Sequence, residues 1–291
     1  MSSQPHKQAS HLKEGGATLI QLLIGLMITA FVMLVIERMY FVIRTKYNAN
    51  ITAIEANTKA LQVSQALRTA IDEAGILSPF GIWPWQSKTL GIPEQSFNPM
   101  NYPPIYAATA LTNLEPASRV SGSDVLLVQS VLSDEITTSV IGASTTDIPT
   151  ALDISSGDYL LLGNAHNYTL METSGNSTGS QVNVVQEPGF SFPIGSFLAH
   201  YQSLLFYLRQ DNDEKDIYIM TDNQNSGQEL VQKVDDFQID YYADGAWHAV
   251  ADETTAGYVN LWYKAVKAVR IHYAIDGQAY HIIIAIKAHN L

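Results

Sequence analysis

Residues 17–36 read ATLIQLLIGLMITAFVMLVI, twenty residues without a formal charge, closed by Glu37 and Arg38. As a helix, at 1.5 Å per residue, this run spans about 30 Å, the thickness of a bilayer's hydrocarbon core. A surface helix of a soluble protein keeps one polar face, and this run has none. An ordinary cleaved export signal has a shorter apolar run followed by a small-x-small site. Here the small pair, Gly15 and Gly16, comes before the run instead. The preceding flank, MSSQPHKQASHLKEGG, sets Lys7 and Lys13 against Glu14. The positive-inside rule therefore predicts a cytoplasmic end here and translocation of everything after residue 36.

The same helix is expected to continue. Residues 40–74 contain no proline or glycine and are rich in helix-forming Ala, Gln, Leu and Lys. Val63, Leu67, Ala70 and Ala74 recur at spacings of four, three and four, and Ile51 and Ile54 share a face. Gly75 supplies a stop. The pattern predicts one helix over 17–75, with a membrane span at 17–36 and an apolar stripe further on that faces a globular domain.

Residues 76–120 are of a different character: Pro79, Pro84, Pro93, Pro99, Pro103, Pro104 and Pro116 interrupt any long element, among Trp83, Trp85, Phe97, Tyr102 and Tyr106. They read as a long loop held down by its aromatics, or else as a partner-contact surface. From residue 121 to 291 the pattern is β. Strands are expected at 124–131 (DVLLVQSV), 158–163 (DYLLLG), 181–185, 201–209 (YQSLLFYLR) and 216–220, between Gly, Ser, Asn and Asp clusters. Residues 236–242 (DFQIDYY) place Phe237, Ile239 and Tyr241 on one face. At the C-terminus, 266–275 and 278–288 flank Asp276-Gly277, the dipeptide of a two-residue hairpin turn. That turn pairs Ile275 with Gln278, Tyr273 with Tyr280, Ile271 with Ile282 and Val269 with Ile284. The resulting Ile-rich face is suited to pack beneath the amphipathic part of the long helix. The fold class expected is α+β, a long N-terminal helix on an antiparallel β-sheet domain.

Composition narrows the function. Across 291 residues, 46% are hydrophobic and 15% charged, enough apolar mass for a sizeable core and unlike a disordered chain. A net charge of −12 disfavours nucleic acid as a partner. With no cysteine there is no disulfide framework, thiolate metal site or thiol nucleophile. The predicted register sets His272 opposite His281, on the face away from the isoleucines. This is a weak metal candidate, since zinc takes three or four ligands. Asp211 and Asp213 lie in the oxygen-rich run DNDEKD, where Lys215 and Asp216 fall at the wrong places for an EF-hand. A solvated turn between strands is the simpler reading, with calcium as the other. No nucleophile elbow, zincin motif, phosphate-binding Gly-Lys loop or dinucleotide fingerprint is present, so neither catalysis nor a cofactor is expected.

The stretch from Gly16 through Ile24 (GATLIQLLI) resembles the leader junction of the type IV pilins and pseudopilins. The likeness extends to SGSDVLLV at 121–128, GDYL at 157–160, YLR at 207–209 and ELVQKVDDFQIDY at 229–241, which look like strands of PilW-type minor pilins. Residues 264–271, preceded by Trp262, are similar to a stretch of the J-type pseudopilins of type II secretion. The resemblance implies a leader at 1–16, cut by a prepilin peptidase between Gly16 and Ala17, and methylation of the new N-terminus. The family usually begins its mature chain with Phe or Met and has Glu at the fifth place; this chain has Ala17 and Gln21. A carboxylate there compensates a neighbouring subunit's α-amine inside an apolar filament, and Gln21 carries no charge. It suggests a rare, tip-proximal subunit; the other reading is a single polar residue tolerated in a membrane span. The implied role is structural: a minor pilin that primes a type IV pilus and joins its tip complex, or alternatively a J-type minor pseudopilin. Implied partners are other minor pilins or pseudopilins, the prepilin peptidase and the inner-membrane assembly platform. The globular domain would be periplasmic and later carried on the cell-surface pilus. A membrane-tethered periplasmic binding module or enzyme is the reading from a different class.

Overall fold

A computed structural model of the protein describes residues 11–74, 103–109, 116, 118–221, 227–252, 258–261 and 265–286, with helix side chains from residue 19 onward. The chain divides into two units, Met1–Asn57 and Thr58–Leu291. One helix, α1 (His11–Glu73), supplies the described structure of the first unit and opens the second.

In the first unit α1 starts at His11, earlier than the predicted residue 17, so the helical backbone runs through Gly15 and Gly16. Each glycine weakens a helix by only about 1 kcal/mol relative to alanine, too little to break one flanked by good helix formers. Thr29, Thr45 and Thr52 turn their hydroxyls back onto the carbonyls of Gly25, Phe41 and Asn48, so each bonds within the helix. Ile51 and Ile54, expected on a packed face, are 37% and 64% exposed. The predicted stop at Gly75 lies outside the described residues.

Among the described residues, the second unit joins the end of α1 to fourteen strands. These are β1 (Ile105–Ala108), β2 (Val125–Ile136), β3 (Asp147–Pro149), β4 (Tyr159–Gly163), β5 (Tyr168–Glu172), β6 (Gln181–Asn183) and β7 (Phe197–Asp211). They continue with β8 (Glu214–Thr221), β9 (Gln228–Gln232), β10 (Val234–Ala243), β11 (Ala246–Ala249), β12 (Tyr258–Asn260), β13 (Ala268–Ile275) and β14 (Gln278–Ala285). All pairings among the described strands are antiparallel. The unit is thus a helix on a largely antiparallel β domain, the α+β class expected.

The larger sheet runs β12-β1-β2-β7-β4-β5, with β8 and β9 branching from β7. β7 is its spine. One edge pairs with β2 along nearly its full length; the other is shared between β4, at 197–201, and β8, at 204–211. Each half carries its own apolar cluster. Leu198 belongs to one with Leu160, Leu162, Met171 and Phe192, and Leu205 and Tyr207 to another with Tyr106, Leu127 and Met220. β1 corrects the reading of 76–120 as a loop. Ile105 to Ala108 are all buried, paired on one side with β2 and on the other with β12. Pro103 and Pro104 just before it lack N–H groups but still accept, from the Gln129 side chain and backbone respectively. Of that segment, residues 76–102, 110–115 and 117 lie outside the described residues.

The smaller sheet, β11-β10-β13-β14, holds the predicted hairpin in its predicted register. Asp276 and Gly277 have φ of 50° and 75°, the two positive values of a type I′ turn. Phe237, Ile239 and Tyr241 are buried as expected, as are Val269, Ile271, Tyr273, Ile275, Ile282 and Ile284. The end of α1 docks here. Tyr273 donates from its hydroxyl to the Ala60 carbonyl at 3.0 Å and lies 2.8 Å from the Ser64 hydroxyl, and Lys59 reaches Asp276 at 3.4 Å. Val63, Leu67, Ala70 and Ala74, the predicted stripe, are buried. A Cβ on Gly277 would meet open space, so Gly277→Ala tests backbone conformation alone. Its expected cost is roughly 1–2 kcal/mol in urea unfolding, the strain of an L-residue at positive φ.

Candidate functional site

The first unit presents a functional surface by its side chains alone. Every residue of α1 from 19 to 50 is exposed, including Leu19, Leu23, Met27, Phe31 and Ile43 at 59–77%. Isolated apolar side chains on a surface are ordinary; a helix apolar on all sides needs an apolar surrounding. α1 is long and apolar enough to cross a membrane by length and composition. Gln21 stands exposed within this stretch, between Ile20 and Leu22. Gly16 and Ala17 lie in the helical backbone about one turn before it.

The second unit places the other sequence candidates. His272 and His281 face each other across β13 and β14 with ring centroids 6.2 Å apart. The hairpin by itself offers them no third partner; the structure brings Asp240 from β10 to His272. Its Oδ2 accepts from Arg270 Nε at 3.0 Å and Nη2 at 2.5 Å, and lies 3.0 Å from His272 Nε2. Arg270 also rests 4.5 Å over the Trp247 ring, which packs against Tyr242. The carboxylate is thus engaged by a guanidinium and an imidazole together. Among the described residues no group of three or more His, Asp or Glu side chains converges as a metal site.

Asp211 and Asp213 are not brought together. Asp211 ends β7 and pairs with Arg209 at 2.9 Å, while Asp213 lies exposed in the two-residue turn to β8. Asp216, from the same acidic run, is buried and accepts the Lys233 backbone N–H at 2.9 Å. The run is a turn between strands, its carboxylates directed to separate tasks.

Asp124, quoted above only as part of SGSDVLLV, is a buried carboxyl at the join of the two sheets. It is 1% exposed. Its backbone N–H donates to Phe237 O at 3.0 Å, and its Oδ2 accepts from Ile239 N–H at 2.7 Å. Oδ1 is buried with no hydrogen-bond donor among the described residues. Burial lifts its pKa to about 6; the Ile239 bond opposes the rise, Asp236 and Asp240 add to it, and Arg119 opposes it. An Asp before a strand is usually a solvated turn residue, so no local signal marked this one as buried.

An open groove of about 510 Å³ lies along the end of α1, floored by Leu204, Phe206, Ile219 and Leu230 and rimmed by Gln62, Gln65 and Glu73. Among the described residues lining it, Glu73 is the one titratable side chain. No family model matches the chain, and no curated protein matches it significantly.

Proposed function

We propose that the protein is a membrane-anchored structural subunit of the type IV pilin superfamily, a minor pilin of PilW type that helps prime a pilus and occupies its tip complex. The observation that carries this reading is α1 itself. Its first stretch is apolar and exposed on all sides, while residues 58–74 carry a buried stripe against the C-terminal hairpin. One part of the helix is made for lipid or for neighbouring helices, the other for its own β domain. Export would leave the domain in the periplasm and the helix in the inner membrane, ready to be drawn into a filament by the assembly platform.

On this reading, Gly15 and Gly16 suit a cleavage junction, because a helix is most easily unwound where its residues contribute least to it. Gln21 then leaves the filament core without the usual carboxylate, which fits a component present in few copies. The test is mass spectrometry of the full chain expressed with and without a prepilin peptidase. Loss of residues 1–16, seen only with the peptidase, is the expected result; an uncleaved chain in both cells refutes the proposal. Pilus counts against protein secretion in a deletion strain then separate a pilus subunit from a J-type pseudopilin.

A further inference from the structure

Asp124 does no work in the function proposed above, yet it bonds the two sheets of the β domain together. It is the last residue before β2 of the larger sheet, and its backbone and side chain both bond to β10 of the smaller one, at Phe237 and Ile239. The turn before it is bound to the same strand, because Gln238 Nε2 donates to Gly122 O at 2.9 Å. Arg119 braces the turn from the other side, donating to Ser123 O at 2.6 Å and Val120 O at 3.2 Å. Among the described residues, the charged groups acting on the carboxyl are Asp236 and Asp240 from β10 and Arg119 from the turn. Arg119 donates to carbonyls of the turn and its charge offsets the rise in the Asp124 pKa only in part, while Asp240, itself an acid, is held by Arg270 and His272.

We infer that Asp124 is a pH-sensitive joint between the two sheets, tightened when its carboxyl is neutral and loosened when it ionises. An ionised carboxylate here keeps one bonded oxygen and leaves the second in a dry site beside two further acids. Burial of an unpaired charge is costly, and protonation removes that cost while Oδ2 still accepts from Ile239. The sign follows from proton linkage. The folded state holds the proton up to about pH 6, whereas the unfolded carboxyl releases it near its model value of 3.8. Between those values the folded state binds more protons, so this group's contribution to stability falls as pH rises through the window and stays lower above it.

The full chain in detergent micelles, melted between pH 4.5 and 8, provides the test, with Asp124→Asn beside the native protein. The carboxamide keeps an acceptor for Ile239 and removes the charge. The native melting temperature is expected to rise by about 2–3 degrees from pH 7.5 to 5.5 through this group. Asp124→Asn should lose that slope in its difference from the native protein and melt higher than it at pH 7.5. Hydrogen exchange at Ile239, corrected for intrinsic rate, should be faster at pH 7.5 than at 5.5 in the native protein. A native slope that Asp124→Asn retains overturns the inference. If that variant does not fold, the aspartate carboxyl carbons of the labelled native protein decide alone. One signal with a midpoint near 6 supports the inference, and midpoints all below about 4.5 overturn it.

Discussion

Replacing Leu67 with alanine is expected to lower the unfolding free energy by about 2–5 kcal/mol, the range for emptying a fully buried leucine site. Leu67 is 0% exposed on the stripe that faces the β domain, whereas Leu61, on the same helix, is 70% exposed. Leu61→Ala should shift stability by no more than about 0.5 kcal/mol, as surface changes do. Both substitutions favour the helix equally, so intrinsic propensity cancels from the comparison. Urea unfolding followed by near-ultraviolet circular dichroism reads the difference. Equal effects at the two sites would mean that the helix end is not packed as described, and the joining of Tyr273 to Ala60 and Ser64 would lose its meaning.

The second large effect belongs to the first unit. Met27→Arg combined with Phe31→Arg puts two charges a turn apart at the middle of the apolar stretch, at side chains 77% and 69% exposed. Each arginine near a span's centre costs about 2.5–3.5 kcal/mol for insertion, so the pair costs roughly 5–7 kcal/mol. The chain should move from the membrane pellet to the supernatant after alkaline carbonate extraction. Leu61→Arg, outside the span, should leave it in the pellet. Retention of the double variant would indicate that the apolar helix is not what holds the protein to the membrane.

What the sequence disclosed follows the range of the interactions involved. Asp276-Gly277 sets a hairpin register within a few residues, and all four predicted pairs are found. Asp244-Gly245 carries the same signal, with φ of 52° and 84° and Ala243 opposite Ala246, yet β11 is only four residues long and was not anticipated. β1 and β12 are harder still. They are four and three residues long, and Tyr106 pairs with Asn260 across most of the domain's sequence. Such strands exist because their partners do, and local propensity has little to say about them. The helix was legible for the opposite reason, since long uninterrupted apolarity needs no partner to be recognised. Its exposed isoleucines, Ile51 and Ile54, show the limit: periodicity identifies a face without saying whether anything covers it.

The chemistry divides along the same line. His272 opposite His281 was readable from one hairpin, but Asp240 enters from β10, whose pairing with β13 has no local turn to announce it. The burial of Asp124 likewise depends on a strand more than a hundred residues later.

The bond from Tyr273 to Ala60 spans 213 residues of chain, and it sets an order of events. A ribosome releases the helix end more than two hundred residues before the hairpin that receives it. Contacts between such distant residues form slowly, because the intervening chain must first be closed into a loop. Until that hairpin is made, Val63 and Leu67 lack the sheet that receives the helix end, and β1 waits equally for β12. The β domain cannot be completed from its first half. Its native assembly waits for the strands that follow, which keeps the polypeptide threadable until they are made.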